Sequence, residues 1–234
     1  MARVLVLRPE PGASATAEAL RARGHEPVIF PIGEVVPLAV HDVDASRLTA
    51  VAATSANGVR HAPAPLIAEL RDFPFFAVGE ATASAARTAG FRRIRAADGD
   101  GQALARLVLQ NLGAGDRLLY LCGHVRRSEF EQACASAAAG IVVAETYDMR
   151  YPDRGDAFRA MIRDGHPDIV MVHSFEAGRA FARLVEPFPD IIAGLKAIAI
   201  SQRAAKPLSD LGIRAVAADR PDEAAMLAAL ARLA

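Results

Sequence analysis

The sequence lacks most of the features that mark disulfide-rich, metal-binding, membrane and nucleic-acid-binding proteins. It has no tryptophan, aromatic residues make up 6% of it, and its two cysteines, Cys122 and Cys134, form no CxxC pair or metal-ligand spacing. No apolar run reaches the ~18 residues of a membrane span, and Met1 to Arg3 leads into a predicted strand rather than a signal peptide. The 27 basic and 27 acidic side chains cancel, so no overall field attracts nucleic acid. We expect a reduced, metal-free, cytoplasmic protein.

What the sequence has is apolar content, with 52% hydrophobic residues, and an internal repeat. Residues 53–59 pass from an apolar run through Thr54 and Ser55 into a helical pattern, and residues 170–178 do the same through Ser174. Each half then continues with two further matching segments. The strand-to-helix turn at 76–83 matches the one at 198–205, and the acidic turn at 98–100 matches the one at 219–222. This repeat predicts two copies of one α/β unit, and 234 residues suit two domains of about 100 residues each.

The predicted strands are shared unevenly between the two halves. Strands and helices alternate from residue 48 to residue 144 in five steps that predict a parallel sheet, whereas residues 151–234 supply only three strands. Two further strands are predicted near the N-terminus. We therefore predict a discontinuous domain of residues 1–33 and 151–234 and an inserted domain of residues 39–144. Extended linkers at about 34–38 and 145–150 would form a hinge beside a cleft.

Several predicted elements lie in the inserted domain. A helix is predicted over residues 57–71, with an irregular start at Pro63 and Pro65. A second helix is predicted over residues 126–139, and a strand over residues 141–144.

The candidate ligand site follows from strand direction, because open parallel sheets bind ligands at the carboxyl ends of their strands. The residues at those ends are mostly small, hydroxylic or glycine, which suits anion binding through backbone N–H groups at helix N-termini. They are Arg8, Thr54, Ser55, Gly79, Glu80, Thr82, Cys122, Gly123, Ser174, Ser201 and Arg203. Ser55 and Asn57 also fit simple helix caps, and Cys122 fits a small buried apolar residue.

Taken together, the order and spacing of these segments resemble the uroporphyrinogen-III synthase family over nearly the whole chain. The resemblance is carried by Leu7-Arg8-Pro9 with Gly12, residues 54–59, residues 77–83, Gly123 with Arg126, Glu145-Thr146-Tyr147, Ser174, and residues 197–205 before Gly212. Each motif alone is an ordinary strand-to-helix turn, and only their combination is specific.

The resemblance implies two flavodoxin-like parallel-sheet domains joined by a two-stranded linker, the first domain being discontinuous. It implies a cofactor-independent lyase of tetrapyrrole (haem) biosynthesis that cyclises hydroxymethylbilane to uroporphyrinogen III with inversion of ring D. We expect a monomer. Departure of the terminal hydroxyl would give an azafulvene, and a spiro intermediate would lead to the inverted ring. By resemblance, Tyr147 assists hydroxyl departure, and the substrate is bound by Arg8, Thr54, Ser55, Asn57, Gly79, Glu80, Thr82, Gly123, Arg126, Ser174, Lys196, Ser201 and Arg203.

Residues 201–205 depart from the family pattern, because a glycine and two threonines are missing there, and His173 and Phe175 flank Ser174 unusually. Other interpretations therefore stay open. Tyr147 fits a linker packing residue, and Lys196 fits an ordinary strand-edge cation. The whole chain also fits a non-catalytic two-domain protein with an anion-binding cleft. Receiver-like signalling domains and a small glycosyltransferase are less compatible, because acidic pairs and a glycine-rich phosphate motif are both missing.

Overall fold

The computed structural model describes residues 1–135 and 140–233, and in that part of the chain strands and helices alternate. The strands are β1 (Arg3–Val6), β2 (Glu26–Ile29), β3 (Glu34–Pro37), β4 (Ala50–Ala53), β5 (Pro74–Val78), β6 (Arg93–Ala97), β7 (Arg117–Gly123), β8 (Gly140–Arg150), β9 (Ile169–Val172), β10 (Lys196–Ala199) and β11 (Arg214–Ala217). The helices are α1 (Gly12–Arg21), α2 (Ala56–Arg60), α3 (Ala64–Leu70), α4 (Gly79–Ala89), α5 (Gly101–Leu109), α6 (Glu129–Ala135), α7 (Gly155–Arg163), α8 (Phe175–Val185), α9 (Pro189–Gly194), α10 (Gln202–Ser209) and α11 (Glu223–Ala228). Two short 3₁₀ turns cover Ala45–Arg47 and Ala229–Arg232.

The chain forms two compact units, each with its own sheet. The first unit joins Met1–Glu34 to Arg150–Ala234, and its five strands lie in the order β11-β10-β9-β1-β2. The second unit is Val35–Met149, and its sheet has the order β3-β8-β7-β4-β5-β6. The pairings of β1 with β2 and β9, and of β4 with β5 and β7, are parallel. The predicted α/β class with parallel sheets is confirmed.

The two sheets have the same spatial order of corresponding strands, but the chain passes through these strands in a different sequence order. In the first unit β9, β10 and β11 follow one another outwards, and β1 and β2 lie on the other side of β9. In the second unit β4, β5 and β6 follow one another outwards, and β7 and β8 lie on the other side of β4. Strand β4 therefore corresponds to β9, and β7 to β1, as in a circular permutation. In both sheets the strand order reverses at this central pair, which is where doubly wound sheets bind ligands.

Each sheet is buried on both faces, as parallel sheets require. Along β1, Leu5 packs into one hydrophobic cluster with Phe158 and Phe181, while Val4 and Val6 pack into another with Met226. This division follows from the alternation of strand side chains between the two faces. The second unit likewise has one cluster around Phe75 and Leu121 and another around Phe76 and Tyr120. Both faces of each sheet are therefore covered by hydrophobic clusters.

Three predicted boundaries differ from the structure. The helix predicted over 57–71 is two helices, α2 and α3, because the prolines at 63 and 65 interrupt the hydrogen-bond ladder. The strand predicted over 141–144 and the linker predicted over 145–150 form one continuous strand, β8, with β3 beside it in the sheet. The helix predicted over 126–139 begins at Glu129, and its predicted end at 136–139 lies outside the described residues.

Helix α9 was not predicted, because residues 186–194 carry two prolines and no clear period. Among the described residues, no helix is both long and apolar enough to cross a membrane.

Candidate active site

The candidate residues of the second unit meet at the carboxyl ends of β4 and β7, the pair at which the strand order reverses. Ser55 follows β4 and caps α2, where its Oγ accepts a hydrogen bond from the Asn57 backbone N–H at 3.2 Å. The neighbouring Thr54 hydroxyl lies 2.7 Å from the Tyr120 hydroxyl. A polar N-cap thus forms here because a serine stands where an apolar strand turns into a helix.

Tyr147 is brought to the same place by a β-bulge in β8. Cys122 pairs with Glu145, but the next residue, Gly123, pairs with Tyr147, so Thr146 is the extra residue. Thr146 is buried and donates its hydroxyl to the Gly58 carbonyl at 2.8 Å. The bulge therefore reorients Tyr147, and its hydroxyl donates to Ser55 Oγ at 3.3 Å.

Gly123 is required by the position of the tyrosine ring. A Cβ atom on Gly123 would lie 2.8 Å from Tyr147 Cζ and 3.0 Å from its hydroxyl oxygen, closer than real contacts allow. Burial raises the pKa of Tyr147, although the hydrogen bond with Ser55 opposes this. The phenol is therefore neutral at physiological pH and keeps a proton that it can donate.

Arg126 is held at the same strand ends by two carboxylates. Its Nε donates to Glu131 at 2.7 Å, and its Nη1 donates to Glu145 at 2.6 Å. The second oxygen of Glu145 lies 2.7 Å from His124 Nδ1. Hydrogen bonds from His124 and Arg126 lower the pKa of Glu145, and the bond with Glu145 raises the pKa of His124. Arg126 is thus fixed in orientation, with its positive charge offset by two carboxylates.

A pocket of about 360 Å³ lies within the second unit. Thr54, Tyr120, Gly123, Arg126 and Tyr147 all contribute to its wall. A small cavity with hydroxyl donors and an oriented guanidinium can bind a carboxylate and place a phenol against a reacting group.

In the first unit the candidate serines cap helices. Ser174 Oγ accepts from the Ala177 N–H at 3.1 Å, and Ser201 Oγ accepts from the Ala204 N–H at 3.3 Å. The guanidinium of Arg203 lies over the ring of Phe175, 5.0 Å from its centre. Both helix N-termini therefore lie at the carboxyl ends of neighbouring strands, β9 and β10, with a cation nearby.

The first unit also contains a polar cluster that the sequence analysis missed. The Glu223 carboxylate accepts from Arg8 Nη1 at 2.8 Å and from Thr16 Oγ1 at 2.6 Å, and it lies 3.0 Å from His173 Nε2. Asp222, the last residue of the acidic turn at 219–222, caps α11, and Glu223 is the first residue of that helix. Glu223 was missed because its partners are separated from it by 50 to 215 residues in the sequence.

The remaining candidate residues have separate surroundings. Gly79 has a positive φ of 68° at the start of α4, Glu80 pairs with Arg87, and Asn57 Oδ1 accepts from Arg60 at 3.3 Å. Thr82 is only 3% exposed, so its side chain is not accessible to a ligand.

Lys196 does not lie at the carboxyl end of a strand, where the candidate site was expected. It begins β10, at the amino end of the strand, and its Nζ donates to the Leu233 carbonyl. The other candidates lie at the carboxyl ends of strands, so Lys196 does not join them. Its prediction rested on the family resemblance rather than on strand direction.

Cys122 fits the interpretation of a small buried apolar residue. It is 1% exposed, and burial raises the pKa of its thiol to about 12. Among the described residues, no group of three or more histidine, cysteine, aspartate or glutamate side chains has a metal-binding geometry.

Comparison with known proteins identifies a sequence family and solved structures with a similar fold. A family model described as uroporphyrinogen-III synthase HemD matches residues 14–228. The structure of uroporphyrinogen-III synthetase from Helicobacter pylori matches with a TM-score of 0.68 and 18% identity, over 100% of both chains. A mutant uroporphyrinogen III synthase from Thermus thermophilus matches with a TM-score of 0.56 and 20% identity, over 99% of this chain and 98% of the other. Among curated proteins, none is significantly similar in sequence.

Proposed function

Because this chain belongs to the uroporphyrinogen-III synthase family, and is therefore an enzyme of tetrapyrrole synthesis, we propose that its substrate is the linear tetrapyrrole hydroxymethylbilane. The enzyme closes this substrate to uroporphyrinogen III and inverts ring D, with no cofactor. Closure without the enzyme gives the uninverted isomer, so the task of the protein is mainly to position the two ends of the substrate.

The position of Tyr147 is the single observation that carries the proposal for the mechanism. Its neutral phenol lies in the wall of the pocket, held by Ser55 on one side and by the contact with Gly123 on the other. The phenol can donate a hydrogen bond or a proton to the terminal hydroxyl of the substrate as its C–O bond breaks, so that the hydroxyl leaves as water. Bond breaking leaves an electrophilic azafulvenium cation, whose positive charge the new phenolate balances. Return of the pyrrole N–H proton to the phenolate gives the neutral azafulvene and restores the phenol, and the far ring attacks this electrophile.

Substrate carboxylates are bound, in this proposal, by the oriented cations and by helix N-termini. Arg126 in the second unit and Arg8 in the first supply guanidinium donors, which suit carboxylates because both groups are planar. The capped N-termini of α8 and α10 add backbone dipoles without net charge. This combination explains how a chain with no net charge could bind a substrate with many carboxylates.

The decisive experiment incubates the purified chain with freshly prepared hydroxymethylbilane and separates the oxidised porphyrin isomers by chromatography. We expect the type III isomer in excess over a protein-free control. Type I alone, from protein with native circular dichroism, would instead favour a non-catalytic binding protein on the same fold.

The role of Tyr147 is tested by Tyr147→Phe, which removes the hydroxyl and keeps the ring. We expect kcat to fall by about 10²- to 10⁴-fold, the size of a lost general acid, with little change in stability. Tyr151→Phe is the matched control, because Tyr151 packs against the hydrophobic core of the first unit. Equal kcat values for the two variants would remove Tyr147 from the mechanism.

We also propose that the enzyme acts as a monomer in the cytoplasm. Light scattering coupled to size-exclusion chromatography tests the first point, and a mass of about twice 24.7 kDa would contradict it.

A further inference from the structure

Glu223 is a half-buried carboxylate that connects three polar side chains at the central strand ends of the first unit. Arg8 follows β1, His173 follows β9, and Thr16 lies inside α1 with no exposed surface. All three contact the two oxygens of Glu223 at 2.6 to 3.0 Å. A carboxylate at the start of α11 therefore connects two strands and two helices at the point where the strand order reverses.

The hydrogen-bond pattern assigns a role to each partner. Arg8 can only donate, and its positive charge favours the ionised form of Glu223, so the carboxylate accepts from Arg8 and from Thr16. His173 Nε2 must then also donate to the carboxylate, which places the lone pair of a neutral imidazole on Nδ1. His173 Nδ1 is buried and has no hydrogen-bond partner among the described residues. Glu223 thus fixes the tautomer of His173 as well as the direction of Arg8.

Arg8 keeps the capacity to bind a ligand while it is held by Glu223. Only its Nη1 is engaged by the carboxylate, and 35% of the side chain remains exposed. The other guanidinium nitrogens lie against Gly12, where a Cβ atom would approach Nε to 2.3 Å and Nη2 to 2.6 Å. Gly12 therefore provides the space in which the guanidinium lies.

The second unit contains a comparable arrangement at its own central strand ends. There Glu145 connects His124 with Arg126, as Glu223 connects His173 with Arg8. In both units an arginine expected to bind substrate is oriented by a glutamate that also contacts a histidine. The glutamates come from different elements, β8 and α11, so the likeness does not follow from the repeat alone.

We infer that Glu223 is a positioning residue of the synthase reaction, which holds Arg8 in the orientation that receives a carboxylate of the substrate. This inference rests on the proposed function. A simple charge effect predicts the opposite result, because removing a carboxylate makes the site more positive and should tighten the binding of an anionic substrate. Weaker binding of the substrate after the loss of Glu223 would therefore indicate that Arg8 has lost its orientation.

The test compares Glu223→Gln, Arg8→Gln and the double variant in steady-state assays with hydroxymethylbilane. We expect Glu223→Gln to raise KM about tenfold and to change kcat less than about threefold, in line with the loss of one charge-assisted hydrogen bond. The double variant should have no higher KM than Arg8→Gln alone, because both changes remove one interaction. Glu18→Gln, an exposed glutamate on α1, is the matched control.

A second variant tests the inference without changing the carboxylate. Gly12→Ala forces the Arg8 guanidinium to move, while alanine is a better helix former than glycine at that position. We expect a stable protein with a raised KM. This variant decides the question if Glu223→Gln does not fold.

Three results would each overturn the inference. The first is an unchanged or lowered KM in folded Glu223→Gln, and the second is an unchanged KM in Gly12→Ala. The third is a double variant whose fold-increase in KM equals the product of the fold-increases in the two single variants. If the wild-type chain yields only the type I isomer, the proposed function fails and the readout becomes the Kd for uroporphyrin III, measured by its fluorescence. A tenfold weaker Kd in Glu223→Gln would still support the positioning role, and an equal Kd would refute it.

Discussion

At the scale of single residues, the contact between Gly123 and Tyr147 makes the position of the phenol sensitive to one methyl group. Gly123→Ala places a Cβ atom 2.8 Å from Tyr147 Cζ, so the ring must move away from Ser55. We expect kcat to fall by about as much as in Tyr147→Phe, with a loss of stability of about 1–3 kcal/mol from overpacking. The measurements are the isomer assay and urea denaturation.

Gly113→Ala is the matched control for this substitution. Gly113 lies in the same unit, has no left-handed φ, and would have no atom within 4 Å of an added Cβ. Its variant should keep wild-type activity. A Gly123→Ala enzyme that is as active as Gly113→Ala would show that the ring position does not matter for turnover.

The lowered pKa of Glu223 predicts that the stability of the folded protein depends on pH. Burial alone would raise its pKa, but hydrogen bonds from His173 and Thr16 and the charge of Arg8 outweigh this and lower the pKa to about 2. Because the pKa is lower in the folded state than in the unfolded chain, the stabilisation is complete above the unfolded pKa and disappears as the pH falls towards 2. Burial lowers the pKa of His173, although its hydrogen bond with Glu223 opposes this shift.

The corresponding measurement is urea denaturation of the wild type and Glu223→Gln across pH. We expect the variant to be less stable at pH 7 by on the order of 2 kcal/mol after discounting for solvent screening. The difference should narrow as the pH falls from about 5 to about 3, because the wild-type carboxylate then begins to lose its advantage. A difference that stays constant over this range would contradict an ionised Glu223, and Glu18→Gln should show no difference at either end.

At the scale of elements, the close approach of α8 and α10 depends on Gly178. A Cβ atom there would lie 2.7 Å from the Ala204 carbonyl oxygen, which is backbone and cannot move aside cheaply. We expect Gly178→Ala to lower the free energy of unfolding by about 2 kcal/mol despite the better helix propensity of alanine. Gly194→Ala in α9, where an added Cβ meets no atom within 4 Å, should stay within about 0.5 kcal/mol of the wild type in chemical denaturation.

The helices and strands also differ in how far they could be predicted from the sequence. The apolar runs of β1, β4 and β9 are local signals, and these strands form as predicted. The serines at 55, 174 and 201 lie at the predicted strand-to-helix turns, and each caps the helix that follows. The bulge at Thr146 and the Glu223 cluster depend on pairings between distant segments, which no local pattern encodes. The serines at the helix starts could therefore be located from the sequence, while the orientation of Tyr147, Arg8 and Arg126 could not.

At the scale of the whole molecule, the two units use one strand arrangement with different chain connections. The second unit is continuous from β3 to β8, whereas the first obtains β1 and β2 from the N-terminus and β9 to β11 from the C-terminal part. The central strand pair of the first sheet, β1 with β9, therefore joins residues that are about 165 positions apart. Formation of that pair closes a long loop, but loop-closure entropy grows only slowly with length, and a folded second unit inside the loop shortens it further.

This connectivity predicts that the second unit folds alone and that the C-terminal part of the first does not. A fragment of residues 34–150 contains all six strands of its sheet and both hydrophobic clusters of its core. We expect it to unfold cooperatively in urea, with circular dichroism typical of an α/β protein. The matched fragment 150–234 keeps only β9, β10 and β11, and the loss of β1 exposes Val170 and Met171 at the open edge of the sheet. It should show no cooperative transition, and addition of a peptide of residues 1–34 should restore one. A cooperative 150–234 fragment without the peptide would mean that the N-terminal strands are not needed for the first core.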